Sequence, residues 1–194
     1  MAHKFGGNWA MLVSDERRRA QPPEQILALV EPRTGETVLD LGTGPGFVAL
    51  PLGEAVGPTG RVIAADISAE ALEHLRGRAA QAGLTNIVPT LVEESLLPLG
   101  AASVDAALLI NVLHELADPH TSIAELRRVL RPGGRLGIVD WDPEAGAGRG
   151  PSPAERVPSS RAAEWLAAAG FVPGNPVRIG PAFYGLTAAV PAQA

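Results

Sequence analysis

Three glycines on alternate positions, Gly42, Gly44 and Gly46, follow directly on Val38-Leu39-Asp40-Leu41 and lead into an apolar stretch from Phe47 to Val56. The pattern predicts a buried strand, a tight turn and the start of a helix. Glycine tolerates positive φ and leaves room where a Cβ would collide with a nucleotide, so such a turn brings backbone close to a ligand. A helix beginning at Gly46 would also direct unpaired N–H groups at whatever lies in the turn. The spacing is Gly-x-Gly-x-Gly. A dinucleotide fingerprint calls for a small residue where Phe47 stands, and a Walker loop for a Lys-Ser/Thr pair that is missing here.

The rest of the chain repeats the alternation of strand and helix. Thr37–Leu41, Arg61–Asp66, Asn86–Val92, Ser103–Ile110 and Arg135–Trp141 read as strands. The run from Ser103 to Ile110 is apolar almost throughout, as an interior parallel strand should be. Between them fall helical stretches over Phe47–Val56 and Ala69–Ala82, and a third helix opened by Asp118-Pro119 with Ile123, Leu126, Val129 and Leu130 on one face. Upstream, a capped turn from Ser14 or Asp15 precedes a helix over Pro23–Glu31, and Phe5 and Trp9 are large enough to anchor the N-terminal stretch on the body. Downstream, Asp142–Pro158 reads as a long loop, Ser159-Ser160 as caps for a helix over Arg161–Ala169, and Phe171–Ile179 with Phe183–Val190 as a hairpin. The expected architecture is a doubly wound α/β domain covering residues 35–194, with an N-terminal segment 1–34 folded across it.

In open parallel sheets ligands bind beyond the carboxyl ends of the strands. Asp66 closes the second strand at an offset of 26 residues from Asp40, near the offset of about 20 at which dinucleotide folds place a ribose-binding carboxylate. Its other possible role, capping the next helix, is filled equally well by Ser68. Asn111 and His114 fall at the tip of the fourth strand, where chemistry would occur. For His114 two roles stand side by side: a general base oriented by Glu115 or a neighbouring carboxylate, or a ring packed against a cofactor. Asp140 and Trp141 would line an acceptor pocket, Trp141 equally serving as packing. Tyr184 faces either the cleft or the core.

Val38–Phe47, the acid at Asp66, Val92-Glu93-Glu94-Ser95-Leu96-Leu97-Pro98 and Leu130-Arg131-Pro132-Gly133-Gly134 come in the order of the landmarks of class I S-adenosylmethionine-dependent methyltransferases, and the chain resembles that family over nearly its whole length. The resemblance implies a Rossmann-like, mostly parallel seven-stranded sheet with an antiparallel C-terminal hairpin, and an N-terminal helix covering the cofactor cleft. It implies S-adenosyl-L-methionine as cofactor and S-adenosyl-L-homocysteine as product. Asp40, Gly42, Thr43, Gly44 and Gly46 would face the methionine half, with Asp40 reaching its amino group. Asp66 would hold the ribose, Ile67 the adenine face, and Glu93 or Glu94 the adenine amino group, with Asn111 at the cleft. Glu93 stands where the family usually has Asp, so the choice between the two glutamates stays open. Asn111-Val112-Leu113-His114 lacks the Asn-Pro-Pro-Tyr/Phe pattern of nucleic-acid methylases and looks like the corresponding stretch of small-molecule enzymes related to quinone biosynthesis.

Composition narrows the alternatives. The 194-residue chain has no cysteine, which removes disulfides, thiolate metal sites and the chemistry of the related arsenic methyltransferases, which capture their substrate with cysteines. A net charge of −5, spread along the chain, offers no basic stripe for nucleic acid. No apolar run reaches the roughly 18 residues of a membrane span, and the N-terminus begins no secretory pattern, so a cytoplasmic location is expected. No residue cluster calls for a metal. The expected function is methyl transfer to a small-molecule acceptor. A catalytically silent cofactor-binding regulator and a nicotinamide-dependent oxidoreductase are the alternatives.

Overall fold

The apolar runs pair side by side in the computed structural model, which describes residues 8–93, 96–146 and 150–192. Five strands, β1 (Thr37–Leu41), β2 (Arg61–Asp66), β3 (Ile87–Leu91), β4 (Val104–Ile110) and β5 (Leu130–Trp141), run parallel. Three more, β6 (Val172–Pro173), β7 (Val177–Ile179) and β8 (Phe183–Ala189), complete the sheet with antiparallel pairing. The spatial order is β3-β2-β1-β4-β5-β8-β6, with β7 beside β8. The fold is the mixed, mostly parallel Rossmann-like sheet expected. It has eight strands where seven were expected because the stretch Phe171–Ile179 is divided at Gly174-Asn175-Pro176, and proline lacks the N–H that a continuous ladder requires.

Helix α1 (Asp15–Ala20), which buries none of its residues, precedes the helices α2 (Pro23–Leu27), α3 (Ala49–Val56), α4 (Ala69–Gln81), α5 (Pro119–Val129) and α6 (Ser159–Ala168), which bury residues against the sheet. Strands β1 and β4 are buried along almost their whole length, so both faces of the sheet need cover. One face packs Leu39, Leu109, Leu136 and Ile138 against Ile123, Leu126 and Leu166. The other packs Val38, Val62 and Leu108 against Leu52, Leu72 and Leu75. Each fully buried Leu or Ile contributes about 1.5–3 kcal/mol. Ser68 caps α4 by accepting from Ala71 N at 3.2 Å, and Asp118 caps α5 by accepting from Thr121 N at 3.1 Å.

Several boundaries depart from the sequence reading. Helix α3 starts at Ala49, three residues beyond Gly46, because the intervening residues form the turn itself. Helix α2 ends at Leu27; looser turns carry on to Glu31, whose φ of 43° is left-handed and ends the helical path. Helix α6 begins at Ser159 after Pro158, with no side-chain cap from either serine. Phe5 lies outside the described residues. Among the described residues, no helix is long and apolar enough to cross a membrane.

Candidate active site

The order of strands reverses between β1 and β4: the chain leaves β1 toward β2 and leaves β4 toward β5. The crevice at their carboxyl ends is where this class of sheet binds ligands. A cleft of about 1600 Å³ opens there, lined by the glycine turn, the tips of β2 and β4, the N-terminal segment and the stretch after Trp141.

The turn that forms its floor is held by hydrogen bonds within itself and to the end of β2. Gly42 N and Thr43 N both donate to Ala65 O (2.8 and 3.1 Å), Gly46 N donates to Thr43 O (3.0 Å), and Gly44 N donates to Asp66 Oδ2 (2.8 Å). The free N–H groups expected from a helix starting at Gly46 are therefore absent from these four positions, and the floor carries carboxylates in their place. All three glycines have positive φ, yet they differ in surroundings. A Cβ on Gly42 would lie 2.2 Å from Val112 Cγ2, and one on Gly46 2.3 Å from Leu75 Cδ1, so these two are required by the protein's own packing. At Gly44 the nearest atom is Leu12 Cδ1 at 3.9 Å. Gly44 alone of the three opens on space that a ligand can fill.

Asp40 lies beneath the turn, 2 % exposed, accepting a 2.7 Å hydrogen bond from Thr43 Oγ1. Burial pushes its carboxyl up to about 6; the Thr43 bond and the Arg17 charge pull against this, while Asp66 adds to it. Asp66 at the tip of β2 accepts from Gly44 N and, through Oδ1, from Ser68 N at 2.8 Å. Desolvation raises its pKa also, opposed by those backbone donors. The cap of α4 is Ser68, as the sequence allowed, and Asp66 instead joins the glycine turn to the start of that helix.

Across the cleft, His114 sits in a short 3-10 turn (Leu113–Glu115) after β4. Its Nδ1 is 2.7 Å from Asp140 Oδ1, and its backbone N–H donates to Asp140 Oδ2 at 3.2 Å. Asp140 is fully buried and also accepts from Trp141 N at 2.7 Å. Burial alone would lower the imidazole's pKa, but the hydrogen bond and charge of Asp140, with Glu115 and Glu155, outweigh it and the pKa is raised. The orienting carboxylate is thus Asp140, while Glu115 Oε1 lies 3.8 Å from Nε2.

The expected site residues are not all brought together. Asp40, Gly42, Thr43, Gly44, Asp66, Ile67, Asn111 and His114 line the cleft. Gly46 lies behind it, and Glu93 is exposed and outside the lining, where Leu91 and Val92 stand. Glu94 lies outside the described residues. Asn111, with a left-handed φ of 57°, exchanges two side-chain hydrogen bonds with buried Gln21: Gln21 Nε2 to Asn111 Oδ1 at 2.9 Å and Asn111 Nδ2 to Gln21 Oε1 at 3.0 Å. Trp141 both lines the cleft and packs on Phe183, ring centroids 4.3 Å apart, whereas Tyr184 is buried in the core.

Three residues at the cleft were not foreseen from sequence. Glu70 on α4 accepts from Trp9 Nε1 at 2.8 Å, tying the N-terminal segment to the rim. Gln21 couples that segment to the tip of β4. Arg156, 6 % exposed, donates to the carbonyls of Asp142, Gly146 and Pro151 and so gathers the long loop beside Trp141. Glu70 and Gln21 carry no local spacing signal because their partners lie 61 and 90 residues away, and Arg156 carries none because it gathers carbonyls of a loop without periodicity.

Comparison with known proteins identifies the family. The methyltransferase domain family matches residues 39–138. A solved structure described as a SAM-dependent methyltransferase from Aquifex aeolicus superposes with a TM-score of 0.88 at 32% identity, covering 94% of this chain and 96% of that one. The chain belongs to the S-adenosylmethionine-dependent methyltransferase family. A ubiquinone/menaquinone biosynthesis C-methyltransferase of Saccharophagus degradans is 34% identical over 110 residues, 56% of this chain and 44% of the relative. An arsenite methyltransferase of Halobacterium salinarum is 37% identical over 106 residues, 55% of this chain and 27% of the relative. The chain thus spans less than half the length of these two curated relatives.

Proposed function

We propose that the chain binds S-adenosyl-L-methionine in the β1/β4 crevice and transfers its sulfonium methyl to a small-molecule acceptor, leaving S-adenosyl-L-homocysteine. The observation that carries this reading is the chemistry of the cleft floor. A pyrophosphate-binding turn offers free N–H groups to an anion. Here the N–H groups of Gly42, Thr43, Gly44 and Gly46 are already bonded within the protein, and Asp40 and Asp66 face the cleft. Such a floor suits a ligand with a cationic tail and ribose hydroxyls to donate. A nicotinamide dinucleotide, with its two phosphates, is a poor match.

In this reading Gly44 admits the methionine half, Asp40 receives its ammonium, Asp66 accepts from the ribose and Ile67 covers the adenine. The sulfonium is already an activated electrophile, so holding the acceptor about 3 Å away in line supplies much of the rate. His114, its Nδ1 held by Asp140, leaves Nε2 to take a proton from an acceptor that must lose one. This buried pair at the cleft argues for turnover and against a silent binder, which has no use for a poised imidazole. Arsenite is disfavoured as acceptor, since the sequence has no thiolate to hold it.

Calorimetry with S-adenosylhomocysteine and with a nicotinamide dinucleotide tests the cofactor, and homocysteine release over an acceptor panel tests turnover. Binding of the dinucleotide without the adenosyl compound would reverse the assignment.

A further inference from the structure

The cleft holds a positive charge whose role the glycine turn and the acids do not explain. Arg17, on α1 and so outside the stretch 39–138 matched by the family, lies with its guanidinium carbon 4.2 Å from the centroid of the Phe47 ring. Its Nη1 donates to Leu12 O at 2.9 Å and its Nε to Gln21 Oε1 at 3.1 Å. Leu12 is also the residue nearest the open side of Gly44. Among the described residues lining the cleft, Arg17 and Arg156 are the cations, and Arg156 is engaged with loop carbonyls at the acceptor end.

A guanidinium has five N–H donors in a planar fork. Two of Arg17's are used by Leu12 and Gln21, and among the described residues Nη2 has no hydrogen-bond partner. The group is nevertheless drawn out of water: burial lowers its pKa to about 10, with Asp40 opposing. A half-buried cation with an unused edge beside a buried carboxylate is matched by a ligand bearing both an ammonium and a carboxylate.

Building on the proposed cofactor, we infer that Arg17 receives the α-carboxylate of the methionine tail while Asp40 receives its α-ammonium, so that the two side chains together read the amino-acid zwitterion. The N-terminal segment is then part of the cofactor site as well as its cover. Arg17 touches the ligand through Nη1 and Nη2, with the Phe47 ring 4.2 Å from its guanidinium carbon.

The test compares two nucleosides on the intact protein by calorimetry: S-adenosylhomocysteine, which carries the zwitterion, and 5′-methylthioadenosine, which lacks it. Arg17→Ala is expected to weaken the first by about tenfold or more and the second by less than about twofold. Binding of methylthioadenosine also reports that the variant is folded. Arg17→Lys, which keeps the charge and loses the fork, is expected to fall between. Equal losses for both ligands, or no loss for either, overturn the assignment. If the wild type binds both equally, the tail is not read and the assignment fails while the cofactor reading stands; if it binds neither, the cofactor reading fails first.

Discussion

His114 and Asp140 meet across the tips of β4 and β5, Nδ1 to Oδ1 at 2.7 Å, and the carboxylate is fixed from two further sides by the N–H groups of His114 and Trp141. Because Asp140 fixes the tautomer from below, the base for the cleft is Nε2. Burial lowers and the surrounding carboxylates raise the imidazole's pKa, and the net direction is up. The active form is the neutral one, so turnover should rise with pH through a limb lying above the ordinary histidine value of about 6.5. Asp140→Asn removes the charge that sets that limb and should move it to lower pH while reducing kcat. His114→Gln should lower kcat by about a hundredfold or more with S-adenosylhomocysteine affinity unchanged. A pH–rate profile of unchanged shape in both variants would leave His114 with packing alone.

The contrast among the three glycines gives a prediction that separates packing from binding. At Gly42 and Gly46 an added methyl meets Val112 or Leu75 below 2.5 Å, and overpacking of this kind costs about 1–3 kcal/mol on top of the positive-φ penalty. At Gly44 only that conformational penalty, about 1–2 kcal/mol, applies to the empty protein. Gly42→Ala and Gly46→Ala should therefore lower Tm most, whereas Gly44→Ala should fold and lose cofactor affinity out of proportion to its Tm. Thermal melts with and without S-adenosylhomocysteine distinguish the two patterns. Equal ligand-induced shifts in Gly44→Ala and wild type would contradict the role given to Gly44.

The fold was legible because its signals are local. Buried parallel strands write themselves as apolar runs, and Ser68, Asp118-Pro119 and the alternate glycines mark where the chain changes direction. The two halves of the candidate site were unequally so. Asp40, Asp66 and His114 stand at strand ends, and strand ends in this topology face one crevice. By contrast, the partner of His114 is 26 residues away on another strand, and the Gln21–Asn111 pair joins residues 90 apart. Such pairings depend on strand order, which the apolar pattern alone does not encode. The helix start was misread for a similar reason: Gly46 N has a partner inside the turn, in Thr43 O, that spacing cannot reveal.

Asp66 joins two backbone donors, Gly44 N and Ser68 N, to the rim of the cleft. Loss of its carboxylate should thus cost binding through the ribose and through the shape of the turn together. Asp66→Ala is expected to weaken S-adenosylhomocysteine by about tenfold or more, since a charge-assisted hydrogen bond contributes about 1.5–3 kcal/mol. Calorimetry with adenosine and with 2′,3′-dideoxyadenosine isolates the ribose contribution: the wild type should prefer adenosine, and the variant should not. An undiminished preference in Asp66→Ala would remove the ribose assignment.

Asp40 should trade stability for binding. Burial raises its carboxyl to about 6 in the folded chain, above the ordinary value of about 3.8. A carboxyl raised on folding favours the folded state when protonated, so its contribution is fully present below the unfolded value and is lost as pH rises through about 6. At pH 7.5 the ionised, desolvated group is a liability to the empty protein. Asp40→Asn keeps an acceptor for Thr43 Oγ1 without the charge, and should raise Tm by a few degrees at pH 7.5, with the gain shrinking as pH falls below about 6. The same substitution should weaken the cofactor, whose ammonium loses its counter-charge, and abolish the decline in affinity that the wild type is expected to show below about pH 6. Melting curves and calorimetry across pH 5 to 8 read both effects, and a Tm that drops at pH 7.5 would mean that the charge is repaid within the protein, with Arg17 the nearest candidate.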